Sequence, residues 1–91
     1  MKDDRVNGHR IRCYDNGGQT ADRYTVVYLD IPESCNLFFA RGMSSQPFHP
    51  QGIGMSCMAA PGRHLGRRVA LADLPRDCQR VVHQDVKDDP R

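Results

Sequence analysis

The segment Arg23-Tyr24-Thr25-Val26-Val27-Tyr28-Leu29 constrains this chain more than any other. It is dense in β-branched and aromatic residues, the types that suit a pleated, packed surface. Both alternating faces are largely apolar, so the segment reads as a central strand covered on two sides. A sheet with layers on both faces must find its cover elsewhere in the chain. That requirement organises the rest of the reading.

Upstream, Arg10-Ile11-Arg12-Cys13-Tyr14 alternates polar and apolar residues, as a half-buried strand does. Asp15-Asn16-Gly17-Gly18 follows, and Asn and Gly tolerate positive φ, which marks a turn. The two strands therefore form a hairpin closed by a wide or bulged loop over residues 15–22. Downstream, Ile31-Pro32-Glu33-Ser34 is expected to break the strand, because proline cannot donate to a ladder. Asn36-Leu37-Phe38-Phe39-Ala40 reads as a third strand, with a helical turn as the competing reading of so short an apolar run. Residues 43–54 hold Pro47, Pro50, Gly52 and Gly54, which exclude a regular helix or a central strand. A loop of this length is either functional or a rigid surface crossing. Met55–Ala59 alternates weakly as a fourth strand, Pro61-Gly62 turns the chain, and Val69-Ala70-Leu71 is a short strand or a turn of helix.

The cover for the sheet is expected at the C-terminus. Leu74, Cys78, Val81, Val82 and Val86 recur on one face of a 3.6-residue period, with Arg76, Gln79, Arg80 and Gln84 on the other. Asp73 is the expected N-cap, and Pro75 fits the first turn. The fold class is thus α+β: a small antiparallel sheet of 3–4 strands that starts with a β-hairpin, packed by one C-terminal helix. Ninety-one residues make one domain, expected over residues 10–86, with residues 1–9 and 87–91 as flexible ends.

Leu, Ile, Val and Phe total 18 residues, a thin supply for a core, but the net charge of only +2 argues against disorder. No stretch has the length of a membrane span and the N-terminus lacks an apolar signal segment, so a cytoplasmic location is expected. In that compartment Cys13, Cys35, Cys57 and Cys78 are expected as reduced thiols in or near the core.

Charge is distributed unevenly. Residues 34–72 hold four arginines (Arg41, Arg63, Arg67 and Arg68) and no acid. Three of them, with His64, lie in Pro61-Gly62-Arg63-His64-Leu65-Gly66-Arg67-Arg68. Guanidinium forks match phosphate and carboxylate oxygens, and glycine admits close approach to the backbone. Arg63, His64, Arg67, Arg68, Arg41 and His49 are therefore the candidate contacts for an anionic partner, either nucleic acid or an acidic protein surface. The alternative is a solvated loop whose arginines pair with Asp73, Asp77 or Asp85. No nucleic-acid motif is present, and residues 60–70 lack stacking aromatics.

Catalytic and metal chemistry find little support. Cys57, His64 and Asp73 supply the residue types of a thiol enzyme without a surrounding motif. His9, His49, His64, His83 and the four cysteines lack the short paired spacings of structural zinc sites. Gly42-Met43-Ser44-Ser45-Gln46 lacks the second glycine of a nucleophile elbow, and no glycine pattern matches a nucleotide loop. No cofactor is expected. An exposed strand edge would allow a homodimer.

Several motifs together resemble a group of small uncharacterised bacterial proteins, some carried by phages and plasmids. They are Tyr14-Asp15-Asn16-Gly17-Gly18, Asp22-Arg23-Tyr24-Thr25-Val26-Val27-Tyr28, Gly42-Met43-Ser44, His49-Pro50-Gln51-Gly52-Ile53-Gly54, His64-Leu65-Gly66 and Asp73-Leu74-Pro75-Arg76-Asp77-Cys78-Gln79. The resemblance spans roughly residues 10–86. It implies a bacterial or mobile-element origin and a self-contained domain, and it leaves room for a modulator of a host protein complex. It brings no activity, cofactor or catalytic residue.

Overall fold

A computed structural model describes residues 3–88. Among these residues six strands form one antiparallel sheet: β1 (Asp4–Val6), β2 (His9–Asp15), β3 (Tyr24–Ser34), β4 (Leu37–Met43), β5 (Gly54–Ala59) and β6 (Arg67–Val69). One helix, α1 (Arg76–Asp88), follows them. The α+β class is as expected, with a larger sheet than 3–4 strands. The order is β1-β2-β3-β4-β5, and β6 returns to pair with β2. β1 lies against His9–Ile11 and β6 against Cys13–Asp15, so two short strands share the outer edge of β2.

The two additional strands have separate causes, and the short element expected at Val69-Ala70-Leu71 is divided between the end of β6 and a 3₁₀ turn, Leu71–Asp73. Residues 4–9, expected to be loose, form a tight hairpin in which Asn7 (φ 51°) and Gly8 (φ 84°) supply the two positive dihedrals of the turn. β6 has three residues and no periodicity to read. It exists because β2 offers it an open edge. The helix runs to Asp88, so Lys87 belongs to it, and residues 89–91 of the expected C-terminal tail lie outside the described residues.

β2 and β3 form the expected hairpin, closed by side chains of its own loop. Asp15 Oδ1 accepts from Gly17 N–H at 2.8 Å, and Asn16 Oδ1 accepts from Gly18 N–H at 2.8 Å. β3 does not stop at Pro32. It continues to Ser34, with Pro32 opposite Phe38 between two register shifts. Pro32 lies beyond the last β2–β3 pair, Ile11↔Tyr28, and proline is accommodated at an edge and at bulges.

The sheet has two apolar faces, as β3 demands. On one, Ile11, Cys13, Tyr24, Val26, Tyr28 and Met43 pack against Leu74, Cys78, Val81, Val82 and Val86 of the helical segment. On the other, Tyr14, Val27, Ala40 and Ala59 form a smaller cluster with Leu29, Phe38 and Leu65. Leu65 belongs to a 3₁₀ turn, Arg63–Leu65, in the crossing from β5 to β6. The Arg/Gly-rich crossing thus runs over the helix-free face, with Leu65 as its hydrophobic anchor.

Asp73 is not the helix N-cap. It closes the 3₁₀ turn Leu71–Asp73, and its carboxylate accepts from Ala70 N–H at 3.1 Å. Pro75 takes the capping position instead, its carbonyl accepting from Gln79 N–H at 3.1 Å. The loop between β4 and β5 is a closed surface loop. Ser44 N–H bonds Ile53 O at 2.9 Å, and Ile53 N–H returns to Ser44 Oγ at 2.9 Å. Cys78 Sγ donates to Ser44 O at 3.2 Å, and Arg80 lies over the Phe48 ring at 5.1 Å, so α1 braces the loop.

Candidate anion-binding surface

Strand alternation builds the site. Ile11 and Cys13 are fully buried under the helix, so Arg10 and Arg12 must point to the opposite, helix-free face. Their Cα atoms are about 6.7 Å apart at strand rise. Register brings further charge onto that face. Arg5 of β1 stands directly across from Arg10, and Arg68 of β6 across from Tyr14. Arg5, Arg10, Arg12 and Arg68 therefore share one margin of the sheet, at the edge where three strands meet.

Asp3 is the carboxylate within this group. Its Oδ1 lies 2.6 Å from Arg12 Nε and 3.0 Å from Arg68 Nη2, and its Oδ2 lies 3.4 Å from Arg10 Nε. The hydrogen bond from Arg12 holds the Asp3 carboxyl below the ordinary value of 3.8, against the opposing effect of burial, with Arg68 and Arg10 adding attraction. Arg12 is raised in turn, first by its bond to Asp3. Three guanidiniums, those of Arg10, Arg12 and Arg68, lie against the Asp3 carboxylate, and the Arg5↔Arg10 pair sets like charges opposite each other. Such a pairing is destabilising in an isolated sheet.

The candidate residues from the acid-free segment do not form one patch. Arg68 joins the margin just described. Arg63 and His64 are exposed on the crossing over the same face. Arg67, the neighbour of Arg68 in β6, points the opposite way and stands across from Asp15. Arg41 is withdrawn from solvent: it faces the helix side, where Nη2 and Nε bond Asp85 Oδ1 and Oδ2 at 2.5 and 3.1 Å. His49 Nδ1 accepts from Gln51 N–H at 3.1 Å within the braced loop. The sequence alternative gave Asp85 to the arginines of the residue 61–68 loop, whereas in the structure it pairs with Arg41. Arg5, Arg10 and Arg12 were absent from the candidate set because they lie outside the acid-free window. The alternation Arg10-x-Arg12 was the signal that could have found them.

No family model matches the chain, and the comparisons with curated proteins and solved structures found no match. The face must be read from its own chemistry. No described helix is long and apolar enough to cross a membrane.

A second carboxylate, Asp15, binds Arg23 at 2.8 and 3.1 Å. That bond, then Gly17 N–H and the nearby Arg67, lowers its pKa, while burial opposes them. Asp3 and Asp15 thus share one linkage. A depressed folded pKa stabilises the fold above the unfolded value of about 3.8 and is lost as pH falls through the lower folded value. Stability is therefore expected to decline on acidification below about pH 4. Asp3→Asn should flatten that limb, as denaturation midpoints measured across pH will show.

The thiols divide two and two. Cys13 and Cys78 are buried, whereas Cys35 and Cys57 are exposed, which corrects the expectation that all lie in or near the core. Burial pushes the Cys13 thiol up to about 12 and the Cys78 thiol up to about 11. Cys57 is also raised, first by partial desolvation and then by Asp22, the opposite of an activated nucleophile. In the native protein, iodoacetamide followed by mass spectrometry should label the exposed Cys35 and Cys57, Cys57 more slowly than an unperturbed thiol, and leave Cys13 and Cys78 unmodified. Rapid labelling of Cys57 near neutral pH would favour thiol chemistry instead.

Proposed function

We propose that this protein is a non-enzymatic binding module whose helix-free sheet face takes the phosphate backbone of a nucleic acid. The reading rests on one observation: four arginines from three strands, Arg5, Arg10, Arg12 and Arg68, converge on a margin with Asp3 as its partial counter-charge. Asp3 bonds one edge of the guanidiniums of Arg12 and Arg68. Each guanidinium carries five donors, and bonding to Asp3 limits the freedom of the side chain before a ligand arrives. The directly opposed Arg5 and Arg10 gain most from an incoming anion, which relieves their repulsion. Arg63 and His64, on the crossing over this face, extend the contact.

Fluorescence anisotropy with labelled single-stranded DNA, duplex DNA and RNA tests this across a salt series. Affinity should fall with salt on a log–log slope of about −3 to −4, as for four phosphate contacts. Arg10→Ala/Arg12→Ala should weaken binding and reduce the slope by about two contacts' worth, whereas exposed Arg76 on α1 serves as a control whose loss leaves binding unchanged. Absence of binding at low salt, or binding indifferent to salt, rejects the nucleic-acid reading. Capture of an acidic protein from nuclease-treated bacterial lysate by the wild type, lost in the same double variant, would transfer the face to a protein partner.

A further inference from the structure

We infer that the free edge of β5 is a docking site for a second copy of this chain, the two β5 strands pairing antiparallel about a two-fold axis. The two margins of the sheet differ. One is tiled by β1 and β6, three residues each and bearing Arg5, Arg67 and Arg68, the short charged strands by which proteins discourage edge pairing. The other is β5, Gly54-Met55-Ser56-Cys57-Met58-Ala59. It carries no charge and no proline, and its register with β4 runs unbroken from Phe38↔Ala59 to Met43↔Gly54. Five of its six residues are exposed, with Met55 at 57% and Met58 at 58%. Among the described residues it pairs only with β4.

An open strand edge presents a row of backbone donors and acceptors, and an extended strand satisfies such a row. A second β5 is suited to it. The strand is neutral, so two copies meet without the repulsion that their basic remainder would impose. A two-fold axis perpendicular to the sheet also keeps like faces together. That symmetry permits registers centred on a residue rather than between residues, here Ser56 or Cys57. A cleft of about 350 Å³ selects between them. It is lined by Glu33, Phe39, Ser56, Cys57 and Met58 and opens at this edge. Centring on Cys57 sets the partner's Met58 opposite Ser56, beside the cleft that Ser56 and Met58 line. Centring on Ser56 sets the partner's Met58 opposite Gly54, outside it. In the register centred on Cys57 the two Cys57 Cα atoms lie about 4.5–5.5 Å apart, within the range a disulfide spans.

The dimer is independent of the arginine margin, which lies at the opposite edge. Its test uses the full chain with Cys35→Ser, so that Cys57 is the exposed thiol. Light scattering should report twice the 10.3 kDa chain mass at high concentration, falling towards one on dilution. Mild oxidation should convert the dimer to a species linked through Cys57, reversible by reductant. Met55→Lys/Met58→Lys changes only exposed side chains and should give a monomer whose denaturation midpoint matches that of the diluted, monomeric wild type. A monomeric wild type at all concentrations overturns the inference. So does a dimer that survives the double-lysine change, or one that oxidation leaves unlinked.

Discussion

Gly66→Ala should lower the stability of this protein by about 4 kcal/mol, the sum of two effects of similar size. Gly66 has φ +113°, outside the range that side-chain-bearing residues adopt readily. A Cβ there would also stand 2.5 Å from Asp15 O and 2.6 Å from Asn16 Cα, both backbone atoms of the β2–β3 hairpin. Neither atom can swing aside as a flexible side chain would. The alanine must lift the crossing off the hairpin, and with it Leu65, the plug of the second apolar cluster. Gly17→Ala supplies the comparison. Gly17 has φ +77°, and a methyl group added there would meet nothing within 4 Å, so its alanine carries only the milder strain of the left-handed region, about 1 kcal/mol, against about 2 kcal/mol for the backbone of Gly66 at φ 113° and ψ −159°. Urea denaturation of the two variants should show Gly66→Ala with much the lower midpoint. Equal midpoints would mean that the crossing does not press on the hairpin.

Asp85→Ala is the second large effect, about 3 kcal/mol or more. Asp85 on α1 accepts from Tyr28 Oη at 2.7 Å and from two nitrogens of Arg41. The Arg41 side chain is 19% exposed and that of Asp85 13%, so water replaces the lost partner poorly. Burial, followed by the neighbouring carboxylate, holds the Tyr28 hydroxyl well above its ordinary pKa, so it stays a donor at any working pH. Removing Asp85 strands a guanidinium and a phenol together. Tyr28→Phe removes one hydrogen bond and should cost about 1 kcal/mol. A double-mutant cycle on Arg41 and Asp85 should give a coupling free energy of about 1 kcal/mol or more, because the residues act as a unit. Additive losses would show that α1 is held by its valines alone.

Local chemistry made some of this molecule readable and long-range pairing hid the rest. β3 declared itself through Tyr24–Leu29, with both faces apolar, and α1 through its valine spacing. The first hairpin was written plainly as Asn7-Gly8 between Val6 and His9, but the polar character of residues 1–9 masked it. β6 could not be found from Arg67–Val69 alone, because its partner is Cys13–Asp15. Pro32 reads as a break in one dimension and is accommodated at an irregular edge in three. Charge behaved likewise. Counting acids along the chain singled out residues 34–72, whereas the folded margin gathers arginines from β1, β2 and β6. Arg41 left the candidate group because its carboxylate sits 44 positions away on the helix.

The shared outer edge of β2 has a consequence for how the chain assembles. Asp3 meets Arg68 across 65 positions, and Asp4 accepts from Leu71 N–H across 67. Among the described hydrogen bonds these span the longest stretches of chain, and they form after an entropy loss that nearby hairpins do not face. The hairpins joining β2, β3 and β4 should therefore form early, and the junction of β1 with β6 should zip last and open first. Amide exchange would then be fastest along the very border that carries the arginines, so a polyanion laid across it would act as a clasp, slowing exchange there before anywhere else.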